Sequence, residues 1–416
     1  MRSRLTLSLI VLLFVGGCAG REETTVSGAS QPTAAAPVTA PPPLAPARVG
    51  LLLPLSGPAA GLGQDLLDAA ELALFDAGRS DLQLLPRDTG DKPQQAEMAA
   101  RSALDAGAEL LIGPLYGRSA VAVAPIAAAR GVSVISFSND AAIARPGLYV
   151  LGFRPEEQIQ RIVRYAGAQG RTRFAALAPE DAYGTRAISS FRDAVAEVPG
   201  ATPVIALTFP ADSDSPMSAV EVMAAFGRPE GLPVQVTNPY GSAVARPALP
   251  PPGFDALLIA DGGPRVGSIA SLFASYDVTP GTTSMLGTMR WQDDPTLLAS
   301  PGLQGAWLAS WPPDALAGFA NRFADVYGRE PAPLAVLAYD ATALAVLLGS
   351  VQPRFTAAQL TDAQGFVGGA GIFRLRADGL AEHGLAIVQV EDGGSRVIDA
   401  APVSFADGHE PGQPAF

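Results

Sequence analysis

Cysteine, histidine and lysine are nearly missing from this chain: one Cys, two His and, at position 92, one Lys stand among 416 residues. A single cysteine excludes an internal disulfide framework and any multi-cysteine metal site. The two histidines, His383 and His409, fall in what reads as a hairpin turn and in the tail, where a surface histidine is the ordinary reading. H-E-x-x-H and G-x-S-x-G are both absent, and no cysteine nucleophile exists beyond position 18. The carboxylates of "PEDAYG" and "EDGG" carry no spacing that a sequence certifies as a catalytic pair. No enzyme chemistry, cofactor or metal is therefore expected. After the first residues no run of about twenty apolar side chains offers a membrane span. A formal net charge of −12 argues against nucleic acid and against adhesion to anionic lipid.

What is present begins with an export signal. "MRSRLTLSLIVLLFVGGCAG" has Arg2 and Arg4, an apolar stretch from Leu5 to Val15 too short to span, and small residues before Cys18. "VGGC" resembles the lipobox of bacterial lipoproteins, which implies removal of residues 1–17, lipidation of Cys18 and, with Ala19 in place of an aspartate, outer-membrane placement. An ordinary signal peptide with a chance cysteine is the alternative. Residues 18–47, rich in Pro, Ala, Thr and Ser, read as a disordered or polyproline-like tether.

With 48% hydrophobic residues the remainder is long enough for two packed units. From Arg48 the pattern alternates: "RVGLLLPL" is a buried-strand run, "GQDLLDAAELALFDAG" has helical spacing, and strand and helix patterns follow in turn to "VSVISFSND". The rhythm restarts near Gln158 and runs to "RVGSIASLFASYDV", interrupted by a Pro-rich excursion after Arg228 that reads as a surface loop. Strict alternation predicts an α/β fold of two doubly wound lobes, each with a parallel sheet. Ligands of such lobes lie at the C-terminal ends of the strands. "AGIFRLRADGLAEHGLAIVQVEDGGSRVI" reads as a closing hairpin and strand.

The turn "PLSGPAAGLGQ" joins the first strand to a helix N-terminus, a place suited to polar or anionic ligand atoms. Its glycines, Gly57, Gly61 and Gly63, do not form G-x-G-x-x-G, and no GK[ST] exists. It forms a cleft wall near a ligand, or its glycines merely relieve φ strain.

"VGLLLPLSGPAAGLGQDLLDAAELAL", "LIGPLYGRSAVAVAPIAAARGVSVISFSND", "APEDAYG" and "FDALLIADGGP" together resemble the type I periplasmic binding proteins of the leucine/isoleucine/valine and amide branch. The resemblance runs from about Arg48 to Ile398. It implies two Rossmann-like lobes joined by hinge strands: 48–153 with 282–350 as the first, 154–281 with 365–400 as the second, and 401–416 as a tail. It also implies site positions. Ser56 and Leu62 lie in the first loop, and Gly117 stands where branched-chain binders present a serine, with Tyr116, Arg118 and Ser119 beside it. Ser138 and Asp140 take the places of a backbone contact and a threonine hydroxyl. Tyr183 matches a second-lobe tyrosine, and Arg265 replaces the glutamate that receives the ammonium. A bound amino acid is a zwitterion, so either Asp140 and Arg265 exchange the usual polarity, or they pair with each other, or Arg265 is solvated. Two functions follow from the resemblance: a binding lipoprotein serving an ABC permease with an amino-acid-like or amide ligand, or a lipoprotein that activates penicillin-binding proteins, its partner a peptidoglycan synthase.

Overall fold

The apolar run at the start of the globular part forms β1 (Ala47–Leu53), and α1 (Ala60–Asp76) follows the glycine-rich turn. The computed structural model describes residues 45–213, 216–229, 248–292, 294–391 and 393–405. The export signal, Cys18, nearly all of the tether, most of the Pro-rich excursion and His409 lie outside the described residues. Alternation continues through β2 (Leu82–Asp88), α2 (Pro93–Asp105), β3 (Leu110–Ile112), α3 (Gly117–Ala128), β4 (Ser133–Ser136) and β5 (Leu148–Val150). These strands form a parallel sheet in the order β2-β1-β3-β4-β5. A sheet covered on both faces needs apolar side chains on both, which is why its strands read as continuous runs instead of alternating ones.

The second half supplies α4 (Pro155–Ala168), β6 (Arg173–Pro179), α5 (Ala182–Ala196), β7 (Thr202–Phe209), α6 (Met217–Ala225), β8 (Ala256–Ile259), α7 (Pro264–Ser275), β9 (Ser284–Gly287), α8 (Pro295–Leu298) and β10 (Trp307–Ser310). Two long helices come next, α9 (Pro313–Tyr327) and α10 (Ala335–Leu348), then the short α11 (Ala357–Leu360). The chain closes with β11 (Phe366–Gly368), β12 (Gly371–Leu375), β13 (Ala381–His383), β14 (Ala386–Glu391) and β15 (Gly394–Asp399). The second sheet runs β15-β14-β10-β9-β8-β6-β7, with β6 to β10 parallel and β14 and β15 antiparallel at one side. β11, β12 and β13 make a small antiparallel sheet.

The sequence assigns 282–350 to the first lobe, and the structure divides that stretch. β9 and β10 join the second sheet, while α9 and α10 pack on the first lobe, where the Tyr327 hydroxyl donates to the Asp68 carbonyl at 2.8 Å and Arg322 pairs with Asp76 at 2.7 Å. The four-residue apolar runs of β9 and β10 suit any parallel sheet, and nothing local in them selects between two. The stretch 365–400 is divided as well: Val150 donates to the Gly379 carbonyl at 2.8 Å, tying the small sheet to the first lobe, whereas β14 pairs with β10.

Three segments therefore cross between the lobes: 151–154, 311–312 and 384–385. Gly152 sits where a Cβ would lie 2.4 Å from the carbonyls of Phe137 and Ser138, so only glycine lets the first crossing pass. An aromatic cluster joins all three. Phe153 meets Trp311 edge-on with centroids 3.7 Å apart, and the His383 ring lies 5.5 and 5.6 Å from them. His383 is thus no surface residue: its side chain is buried and its Nδ1 lies 3.0 Å from Glu157 Oε1. Arg154 donates to the Ala381 carbonyl at 2.8 Å. Burial works to raise the Glu157 carboxyl, but the adjacent His383, its hydrogen bond and Arg154 outweigh it and hold the group below the usual range.

Asp340 on α10 is also buried, accepting from the backbone N–H of Gly369 and Ala370 beyond β11. Burial pushes its carboxyl from 3.8 up to about 7, against the lowering effect of those bonds and of His383. A raised carboxyl stabilises the fold while it is neutral. That contribution is complete below the unfolded value near 4 and is lost as the pH climbs through about 7. At about 1.4 kcal/mol per unit the loss amounts to about 4 kcal/mol. Urea unfolding at about pH 4.5 and about pH 7.5 should show Asp340→Asn losing less stability with rising pH than the parent. Equal losses in the two proteins would place the ionisation elsewhere.

Candidate functional site

In the first lobe the site grows from the ends of β1, β3 and β4. Asp88, at the end of β2, accepts from the backbone N–H groups of Leu55, Ser56 and Gly90 at 2.9, 3.2 and 2.8 Å, so the opening loop is organised around a carboxylate instead of cradling an anion. Burial raises the Asp88 carboxyl, yet these bonds and the Ser56 hydroxyl bring it below its ordinary value. Ser56 is exposed, and Leu62 is half-buried against the core. Tyr116 precedes α3, with the Arg118 guanidinium 5.1 Å from its ring centroid. A Cβ on Gly117 would meet Ser138 Oγ at 3.0 Å and Asp140 Cβ at 3.6 Å, so the structure brings Gly117, Ser138 and Asp140 together. Ser138 Oγ accepts from the Asp140 N–H at 3.1 Å, and Asp140 in turn caps the short turn 141–143. The Ser119 hydroxyl is buried and has no partner among the described residues.

In the second lobe Asp181 caps α5 by accepting from the Gly184 N–H at 2.7 Å. A Cβ on Gly184 would lie 1.8 Å from the Pro179 carbonyl, so glycine is required for α5 to start this close to β6. That start aims Tyr183 inward. Its hydroxyl lies 3.2 Å from Thr288 Oγ1, the Arg290 guanidinium sits 4.5 Å from its ring centroid, and burial pushes its phenol pKa up. Gly262 makes room for Arg290: a Cβ there would be 2.7 Å from Arg290 Nε. Among the described residues no carboxylate pairs with Arg290.

Between the lobes lies a cavity of about 450 Å³ lined by Asn139, Phe153, Gln158, Tyr183, Arg290 and Trp311, among others. Of the nine expected ligand positions, Tyr183 alone lines it; Ser138 and Asp140 flank its Asn139. Arg265 does not face Asp140. It holds Asp261 with two bonds of 2.6 and 3.1 Å, donates to the carbonyls of Ala211 and Ser213, and lies over Phe209, so no Asp140–Arg265 pair forms and Arg265 is not simply solvated. The acid four residues before Arg265 claims it. Asp140 instead faces Arg186 of the second lobe at 3.9 Å, and Arg186 lies 3.9 Å from Glu156 as well.

Arg290, Gln158, Phe153 and Trp311 escape the sequence reading. The signal for Arg290 is "LGTMRW", a cation directly after a strand's C-terminal end, and it is legible only once β9 is placed in the second sheet.

A family profile described as "Periplasmic binding protein" matches residues 46–395. A solved structure from Rhodospirillum rubrum, provisionally described as a branched-chain amino acid ABC transporter, is 18% identical. It covers 85% of this chain and 100% of its own, with a TM-score of 0.71. An ABC transporter substrate-binding protein from Sphaerobacter thermophilus is 19% identical over 86% of this chain and 98% of its own, with a TM-score of 0.64. Uncharacterized protein RP748 of Rickettsia prowazekii (strain Madrid E) is 31% identical over 137 residues. That match takes in 33% of this chain and 36% of the relative, so the chain spans about a third of the curated relative's length.

The Asp140–Arg186 contact joins the lobes through two part-exposed side chains, a setting in which an ion pair contributes under about 0.5 kcal/mol. Asp140→Asn should accordingly leave the denaturant midpoint nearly unchanged. A loss of about 2 kcal/mol or more would instead make the pair a lock between the lobes.

Proposed function

Because the chain belongs to the periplasmic binding protein family, we propose that it is a non-enzymatic extracytoplasmic receptor whose lobes close on a small amino-acid-related or amide metabolite and deliver it to an ABC-type permease. One observation carries this reading: the interlobe cavity is walled by both lobes, with Asn139 and Leu334 on one side and Tyr183 and Arg290 on the other. A ligand touching both walls favours the closed arrangement by its differential contacts there. Hinge motion at the three crossings supplies the closure. Cys18 anchors the protein by lipid, and Ala19 favours the outer membrane.

A second reading rests on a different observation. The features that hold a free amino acid are altered, since Gly117 has no hydroxyl and Arg265 is committed to Asp261. A receptor fold with that site lost suits an outer-membrane lipoprotein that activates penicillin-binding proteins.

Thermal unfolding of the full chain against amino acids, amides, organic acids and muropeptides separates the two, because a ligand at 100 times its Kd adds about 2.7 kcal/mol. A shift with one chemical class supports the receptor. A flat screen together with stimulation of a peptidoglycan synthase supports the activator. For any ligand found, Tyr183→Ala should weaken binding at least about tenfold, roughly 1.4 kcal/mol; unchanged affinity removes Tyr183 from the site. Cys18→Ala should move the protein from the membrane to the soluble fraction, and continued membrane retention would discard the lipid anchor.

A further inference from the structure

The charges around the cleft are unevenly spent. Asp261 is taken by Arg265, Glu157 by His383 and Arg154, Asp140 by Arg186 and by the Ala142 N–H, and Asp181 by the start of α5. Glu156 faces Arg186 and does not line the cavity. Arg290 lines the cavity, is exposed, and pairs with no carboxylate among the described residues. Its guanidinium carbon lies 4.5 Å from the Tyr183 ring centroid, which braces the group, and its five N–H donors exceed what one ring contact uses, leaving some for a planar two-oxygen acceptor. The same cavity therefore offers a cation for a carboxylate and no unspent carboxylate for an ammonium, its Asn139 amide being neutral. Enclosing a zwitterion there would leave its positive end without a counter-charge, and a buried charge lacking one costs several kcal/mol.

The rest of the wall is apolar or aromatic, formed by Phe153, Trp311, Met289 and Leu334. Two amides reach this wall: Asn139, and Gln158, which already accepts from the Met289 N–H at 3.0 Å and donates to the Arg154 carbonyl at 3.1 Å. Resting on the receptor reading above, we propose that the cleft selects a carboxylate with an apolar body and no α-ammonium, and that Arg290 is its anion anchor.

Pairs of ligands that differ only by the ammonium test this directly. The full chain would be titrated calorimetrically with 3-phenylpropionate against phenylalanine, and with 4-methylpentanoate against leucine. The expected result is that the desamino member of at least one pair binds at least about tenfold tighter. Arg290→Gln should then weaken that member at least about tenfold while leaving the unfolding midpoint in place, and Arg290→Lys should recover part of the loss. Tighter binding of the amino acid, or unchanged affinity in Arg290→Gln, overturns the proposal. If neither pair binds while another solute class raises the unfolding temperature, the anion anchor falls and the receptor reading stands. If no solute of any class binds, both fall.

Discussion

Three segments cross between two sheets, and one buried contact set joins them all. Phe153 belongs to the first crossing, Trp311 to the second, and His383 to the last residues before the third. Glu157 then binds both the ring and the backbone N–H of His383, while Arg154 reaches the carbonyl of Ala381. Leaving a buried donor or acceptor without its partner costs about 1–3 kcal/mol, more for a charged group, so these contacts hold the crossings together. Phe153 and Trp311 of the same cluster also line the interlobe cavity, so the contacts that join the crossings shape that space as well.

A second constraint is the almost complete reliance on arginine for positive charge. A guanidinium can bind an acid with two edges and stack its face on a ring at once. Arg265 and Arg290 each place the guanidinium over a ring, Phe209 and Tyr183. They differ in what stands four residues earlier. Asp261 occupies that place for Arg265, in the loop between β8 and the start of α7, and neutralises it; for Arg290 the place is Leu286, inside β9. One arginine is consumed by local geometry and its neighbour across the strand ends is left facing the cleft.

Most of the architecture is legible in the sequence because buried parallel strands and amphipathic helices announce themselves locally. "RVGLLLPL" covers all but the first residue of β1, and "FDALLIADGG" contains β8. Long-range choices are not local. The four residues of β9 carry no mark of the sheet they join, and their misplacement hides Arg290. His383 reads as a turn histidine because the partner that buries it, Glu157, lies 226 residues away. Arg265 reads as a cleft residue by position, although the acid that neutralises it stands in the same quoted motif.

The covering of α1 by α9 and α10 carries a consequence for how the chain comes to be folded. Leu66, Ala69 and Leu72 of α1 share one buried cluster with Leu337, Ala341 and Leu344 of α10, and Arg329 pairs with Asp65 and Asp68 across more than 260 residues. A nascent chain is made from its N-terminus, so the first lobe is synthesised with one flank bare. It stays so until the second sheet, β6 to β10, has been made. Neither lobe is contiguous: the first waits for α10 and for the small sheet that Gly379 ties to Val150, the second for β14. The first part synthesised is thus among the last completed, and a chain ending before about residue 345 would present an open greasy flank to every chaperone and protease it meets.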